Sequence, residues 1–287
     1  MAGREWPLVC FTMLGQFAVG AYLFVLLPLF FNRPVKPEGG GRDLRLAAVL
    51  VVLGLLAVAA LISFFHLGNP WQAPNALNNL KRSWLSREIL FELATLLLFG
   101  LLALFLILRV RNAVLFQVTG LAAAATGLLF LLSMARIYML PTVKPWNTFF
   151  TPASFFLTAF LLGAAAAVAA SFFLKTPIPC LRALIILSIT LAATGFVLAA
   201  LAAPHFGVWG YRPEAGLKPP GSPSIILFSS RIVFLLAGAI LLALQAKKIS
   251  VSLAAPVRIS ALVASCFFFA AEVAGRFLFY GFYLGKR

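Results

Sequence analysis

Apolar residues run on along this chain in long blocks, and polar residues gather in the short breaks between them. Eight blocks are almost free of charge, at about 7–31, 44–66, 87–109, 113–139, 152–174, 180–203, 223–245 and 257–284. Each is long enough to cross the hydrocarbon of a bilayer as a helix, which takes about 20 residues. The breaks read "NRPVKPEGGGRD", "PTVKPWN", "KTPIP", "PHFGVWGYRPEAGLKPPGSP" and "KKISVSLAAP". Proline and glycine collect there, where helices stop. The period-two alternation of a membrane β-barrel is absent. The pattern predicts an all-α integral membrane protein, a bundle of eight transmembrane helices forming a single domain over residues 1–287. Helices satisfy their own backbone, as lipid requires.

Composition agrees. Of 287 residues, 63% are hydrophobic and only 10% charged, against about half and a quarter in soluble domains. The opening run, "MAGREWPLVCFTMLGQFAVGAYLFVLLPLFF", is too long for a signal peptide and lacks a clear cleavage site, so it reads as a retained first span. The net charge of +16 sits mostly in the short connections. That placement suits membrane topology and anionic lipid headgroups rather than nucleic acid.

Orientation follows from the same charges. With eight spans both termini share a side. The opposite side carries Arg33, Lys36, Arg42, Arg45, Arg109, Arg111, Lys175, Arg182, Lys247, Lys248 and Arg258, eleven in all. The terminal side carries Arg4, Lys81, Arg82, Lys144, Arg212, Lys218, Lys286 and Arg287, which is eight. The bias places the richer side in the cytoplasm, with both termini in the periplasm of a bacterial inner membrane. The two longer connections, about 67–86 and 204–222, then face outward and offer a docking surface.

Cofactor chemistry is sparse. Cys10, Cys180 and Cys266 form no Cys-x-x-Cys pattern, so neither zinc nor an iron–sulfur cluster is expected on this chain. The two histidines, His66 and His205, both stand at outward ends of spans. They could in principle face one another, but the four-histidine pattern of a two-haem protein is missing.

Charges inside spans are costly, at roughly 2.5–3.5 kcal/mol each on insertion scales, and mark functional positions by default. Arg136 lies late in span four, Arg231 early in span seven, and Glu272 and Arg276 late in span eight. All fall in the outward half. Glu272 and Arg276 stand four residues apart, on one helix face, and are expected to pair. Glu88 and Glu92 share a face in the same way and repel unless an arginine or a shifted pKa relieves them. Interhelical ion pairs that merely hold the bundle are the plain alternative to a polar pocket.

The connection "SFFHLGNPWQAPNALNNLKRSWLSREI", Ser63–Ile89, joins these features. His66 is expected to end span two, with Gly68 and Asn69-Pro70 breaking the helix. Glu88 opens span three at the same level, and Asn75 and Asn78 lie three residues apart between them. A histidine that takes a hydroxyl proton and a carboxylate that passes it to water suit a lipid that donates protons and electrons together, a quinol. Phe64, Phe65, Trp71, Trp84 and Phe91 supply a flat apolar slot. By depth, Arg136, Tyr138, Arg231, Glu272 and Arg276 join His66, Asn75, Asn78 and Glu88 as expected quinol contacts. A helix-end histidine anchored to headgroups is the alternative for His66.

These segments resemble the membrane anchor subunit of the dimethyl sulfoxide reductase family. "EWPLVCFTMLGQ", "HLGNPWQAPNALNNLKRSWLSREI", "ARIYML", "PWNTFFTPASFFLTAF", "SRIVFLLAG" and "AEVAGRFLFYG" match that family in order along the whole sequence. The resemblance implies a haem-free anchor that oxidises menaquinol. It implies an iron–sulfur electron-transfer subunit with [4Fe–4S] clusters as partner, and beyond it a molybdopterin catalytic subunit. By motif, His66 falls on the family's quinol-site histidine and Glu88 on the acid after it.

Two other readings compete. Related anchors serve formate dehydrogenases, polysulfide reductases and tetrathionate reductases, and in the first the quinone is reduced. A secondary transporter would use the deep charges for a substrate path, and predicts interrupted spans at matching places in two repeats.

Overall fold

The computed structural model describes residues 6–31, 44–64, 75, 77–174, 178–204, 222–246 and 255–284. Among these residues the chain is helical without strands, and eight helices are long and apolar enough to cross a membrane. They are α1 (Trp6–Phe31), α2 (Leu44–Ser63), α3 (Trp84–Ile107), α4 (Ala113–Tyr138), α5 (Phe150–Leu174), α6 (Ile178–Ala202), α7 (Ser222–Ala246) and α8 (Ala255–Leu284). His66, the Gly68–Pro70 break and His205 lie outside the described residues.

The expected spans and the observed helices agree to within a few residues. The main shift is α3, which starts at Trp84 because Ser83 caps it: the Ser83 hydroxyl accepts the Ser86 N–H at 3.2 Å. This adds a turn ahead of Glu88 and carries that acid into the bundle. The other end of α3 closes on Arg109 at φ +52°. There the Val110 N–H reaches Phe105 O at 2.9 Å and the Arg109 N–H reaches Leu106 O at 3.2 Å. That is a left-handed helix stop followed at once by Asn112, whose side chain caps α4. Hence α3 and α4 form a tight antiparallel hairpin.

Contacts divide the bundle into two four-helix sets. In the first, α1 packs on α2, α2 on α3, α3 on α4 and α4 on α1; in the second, α5, α6, α7 and α8 close the same ring. The sets meet where α1 lies against α5, and α5 is the most enclosed helix. Small residues allow this approach. A Cβ on Gly20 would strike the backbone carbonyl of Ala159, and one on Gly163 would strike the backbone of Gly20. Ala159 and Gly163 are four apart on α5, the small-residue spacing by which membrane helices come into backbone contact. α1 bends through a π turn at Tyr22–Leu26, where the Tyr22 hydroxyl donates to Gly120 O on α4 at 2.7 Å.

Polar side chains in the spans mostly satisfy themselves. Thr95, Ser171 and Ser188 donate to the carbonyl one turn earlier. The exceptions cluster near one end of the bundle.

Candidate functional site

We call the end where α1 begins and α8 finishes the terminal face. α3, α5 and α7 also begin there, and α2, α4 and α6 end there. The deep polar residues of six helices converge beneath it. All three acidic residues among the described residues, Glu88, Glu92 and Glu272, are buried here.

The second four-helix set holds the tightest part. Glu272 on α8 is 2% exposed and Arg276, one turn on, is 3% exposed. They do not pair with each other, as their spacing suggested. Glu272 instead takes Arg231 of α7, Nη2 to Oε1 at 3.2 Å, and accepts the Thr158 hydroxyl of α5 at 2.5 Å. Arg276 turns the other way. Its Nη2 donates to Gln16 Oε1 on α1 at 3.0 Å and to Thr158 Oγ1 at 3.2 Å, and its guanidinium lies 3.7 Å from the Phe155 ring centre. Helical spacing put both charges on one face, but each found its partner on a different neighbouring helix. Thr158 bridges them, donating to the acid and accepting from the base.

Beside this network lies a cavity of about 40 Å³, lined by Ser154, Thr158, Ala203, Arg231, Glu272 and Arg276 among others. Buried Nε groups of Arg231 and Arg276 have no acceptor among the described residues.

The first set holds the other acids. Glu88 and Glu92 share the buried face of α3. The neighbours that face Glu88 are Glu92, Tyr138 of α4 and Tyr280 of α8. Tyr138 and Tyr280 also lie within electrostatic reach of Arg276. Their rings are 5.3 Å apart and belong to an aromatic wall with Trp146, Phe155 and Phe279. Trp146 is locked by its indole N–H to Phe279 O at 3.1 Å. This wall separates the Glu88 side from the Arg231–Glu272 side.

Above Glu88, where α3 begins and α4 ends, is a second and roomier recess of about 320 Å³, lined by Trp84, Leu85, Arg136, Ile137, Met139, Leu140 and Asn147. Two guanidiniums lie over the Trp84 ring, Arg87 at 4.3 Å and Arg136 at 5.1 Å from its centre. Arg87 also donates to Leu80 O at 2.9 Å and Lys81 O at 2.7 Å. It thereby straps the turn before α3 onto the helix. Arg136 is exposed at the last turn of α4 rather than buried with the other charges.

The residues expected in one pocket therefore fall into groups. Arg136 lines the recess and Glu88 lies a turn below its Trp84 floor. Arg231, Glu272 and Arg276 line the cavity, and Tyr138 stands in the wall between. Asn75 and Asn78 are exposed in the turn ahead of α3. Sequence reasoning missed Gln16, Thr158, Tyr280, Trp146 and Asn147. The signal for Gln16 and Thr158 was available, since an amide in "TMLGQFAVG" and a hydroxyl in "FFLTAF" interrupt otherwise apolar helix.

Over residues 1–282 the sequence matches the family described as "DMSO reductase anchor subunit (DmsC)". It is 35% identical over 159 residues to the C subunit of the anaerobic dimethyl sulfoxide reductase of Haemophilus influenzae, covering 55% of this protein and 56% of that one. It is 32% identical over 160 residues to the YnfH subunit of an anaerobic dimethyl sulfoxide reductase of Escherichia coli. It is 30% identical over 161 residues to the C subunit of the anaerobic dimethyl sulfoxide reductase of the same organism. Each of those two matches covers 56% of this protein and 55% of the relative, so the curated relatives are matched over about half their length.

Proposed function

The chain belongs to the DMSO reductase anchor subunit family, and from that premise we propose that it is the quinol-oxidising membrane anchor of a molybdoenzyme complex. It is a multi-pass membrane protein of eight helices. In this reading it lies in a bacterial inner membrane with both termini in the periplasm. An iron–sulfur subunit docks on the terminal face, and a molybdopterin catalytic subunit lies beyond it.

One observation carries the reading: the recess of about 320 Å³ where α3 begins and α4 ends. A fused-ring quinol needs a flat apolar surface and a few directed polar groups. Trp84, Leu85 and Ile137 supply the surface, and Arg136 and Asn147 supply donors for a ring oxygen. The other cavity, at about 40 Å³, is too small for the ring. The recess opens at the membrane boundary, where a lipid-soluble ring enters and electrons have the shortest way to an iron–sulfur cluster outside the bilayer.

Menaquinol gives up two electrons and two protons. The electrons pass to the iron–sulfur partner. His66, on the segment leading to α3, takes a hydroxyl proton as general base, and Glu88 below Trp84 takes part in its release. Asn75 and Asn78, exposed ahead of α3, offer amides to the quinol. Proton release on the terminal face needs no path across the membrane, so the step is not itself a pump.

The transporter reading has less support. It calls for matching interruptions in two halves. Here α1 carries a π turn and its counterpart α5 is a continuous helix.

The test is quinol-driven reduction of the partner's iron–sulfur clusters, read by electron paramagnetic resonance in the intact complex. His66→Ala and Glu88→Gln are expected to assemble, to keep clusters reducible by dithionite, and to lose reduction by quinol. Full quinol reduction in both variants would overturn the assignment.

A further inference from the structure

The small cavity at Arg231, Glu272 and Arg276 plays no part in holding the quinol ring, yet it is built from the most costly residues in the chain. We propose that it is a hydrated proton-exchange site, entered by water from the terminal face, at which Glu272 exchanges protons with solvent.

Four observations carry this. First, two buried guanidinium Nε groups lack an acceptor among the described residues, one of them on Arg276, which is 3% exposed. An orphaned charged donor inside a bilayer is expensive, and a water oxygen is the smallest acceptor that removes the cost. Second, the space fits. A water needs about 10–15 Å³ of such volume, so about 40 Å³ takes about three. Third, the way in is on the correct side. Ala203 follows the last residue of α6 and Phe150 starts α5, and both line the cavity at the terminal face. Fourth, Glu272 is the carboxylate in the cavity lining. Arg231 and Thr158 hold it in position there, and Thr158 connects it to Arg276.

The position gives the site a role that rests on the quinol reading. Oxidising one quinol leaves one quinone, two electrons on the iron–sulfur partner and two protons to discard. Glu88 stands on one side of the Tyr138–Tyr280 wall, and Arg276 and Glu272 stand on the other. Tyr138 and Tyr280 lie within electrostatic reach of both Glu88 and Arg276. A proton that leaves the quinol towards Glu88 has to pass these two hydroxyls, of which that of Tyr280 has no hydrogen-bond partner among the described residues, and in this proposal water completes the connection to the hydrated cavity. In this division the recess holds the quinol, and the cavity returns its protons to water.

The test begins with hydration, which needs no quinol. Cys10, Cys180 and Cys266 are replaced, and Ser154→Cys, which lines the cavity, is introduced in the full complex in sealed membrane vesicles. Silver ion, a cation small enough to follow water into the cavity, is added to the terminal face, and its binding is read as protection of the thiol from alkylation after denaturation. It binds a thiolate, the thiol proton passing to water, and thiolates exist only where water reaches. Ser154→Cys is expected to react, and Val197→Cys, on the lipid-facing side of α6, is not. An unreactive Ser154→Cys in an assembled complex overturns the proposal, as does equal reaction at both positions. If Ser154→Cys fails to assemble, Ala203→Cys is read the same way.

The second arm measures the proton step. Glu272→Gln keeps the size of the side chain and one accepting oxygen for Arg231, gives up the oxygen that accepts from Thr158, and cannot exchange a proton. It is expected to slow quinol oxidation by about tenfold or more. KM for quinol should stay unchanged and the solvent deuterium isotope effect should rise. An unchanged rate and isotope effect overturn the proton role even if Ser154→Cys reacts. If the wild-type complex does not oxidise quinol at all, the quinol reading fails by itself, and the labelling result still decides hydration.

Discussion

Gly275 makes room for Arg231. A Cβ on Gly275 of α8 would lie 2.9 Å from Arg231 Nε and 3.0 Å from its Cζ. The guanidinium of α7 therefore lies flat against the bare backbone of α8, one turn from Glu272, and reaches that acid only because no side chain intervenes. Gly275→Ala is expected to displace Arg231 and loosen the Arg231–Glu272 pair. Thermal unfolding of the detergent-solubilised complex should show a lowered midpoint.

The pair itself gives a sharper test. Arg231→Leu leaves Glu272 buried without its cation, and breaking such a pair typically costs about 3–5 kcal/mol. Replacing both, Arg231→Leu with Glu272→Leu, removes the uncompensated charge and should recover part of the loss. A double-mutant cycle on the unfolding midpoint reads this directly. Purely additive losses would show that the two residues are not coupled.

The α1–α5 seam predicts an asymmetry among glycines. Gly20→Leu and Gly163→Leu place a side chain where backbones touch, and neither helix can move without opening both four-helix sets. These variants should fail to accumulate in the membrane. Gly54→Ala and Gly100→Ala meet nothing within 4 Å and should accumulate normally. Immunoblots of membrane fractions suffice.

On the proposed reading, a Trp84 variant distinguishes quinol binding from proton transfer. Trp84→Ala removes the floor of the recess and the ring shared by Arg87 and Arg136, contacts worth about 0.5–2 kcal/mol each. KM for quinol should rise by about tenfold with a smaller change in kcat. The expected pattern for Glu88→Gln is the reverse, with kcat falling by about a hundredfold or more for a lost proton acceptor. Steady-state kinetics with a soluble quinol analogue distinguishes the two.

Glu92 shares the buried face of α3 with Glu88 but lies a turn deeper, and its Oε1 has no partner among the described residues. Glu92→Gln should lower the quinol oxidation rate less than Glu88→Gln. A larger loss in Glu92→Gln would make it the acid that takes the proton.

The fold was legible because membrane insertion is read from composition alone. Each block of about 20 apolar residues makes its own helix, and no distant contact is needed to decide that. The starts of α3 and α4 were also local matters, decided by the caps Ser83 and Asn112. Family resemblance was equally plain, since "HLGNPWQAPNALNNLKRSWLSREI" and "AEVAGRFLFYG" are contiguous strings. The candidate site was legible only as a set of charges at one depth, beneath one face.

Which of those charges meet was decided by tertiary structure. Sequence spacing says that Glu272 and Arg276 face the same way, but it carries no information on what α7, α5 and α1 place before them. Packing put Arg231 against Gly275, Thr158 between the two charges and Gln16 beyond Arg276. The same packing raised the Tyr138–Tyr280 wall that splits one expected pocket into a roomy recess and a small polar cavity. Hydrophobicity is a property of each segment and needs only the order of residues. Pairing across helices depends on rotation and close approach, which small residues such as Gly20, Gly163 and Gly275 permit and only the assembled bundle decides.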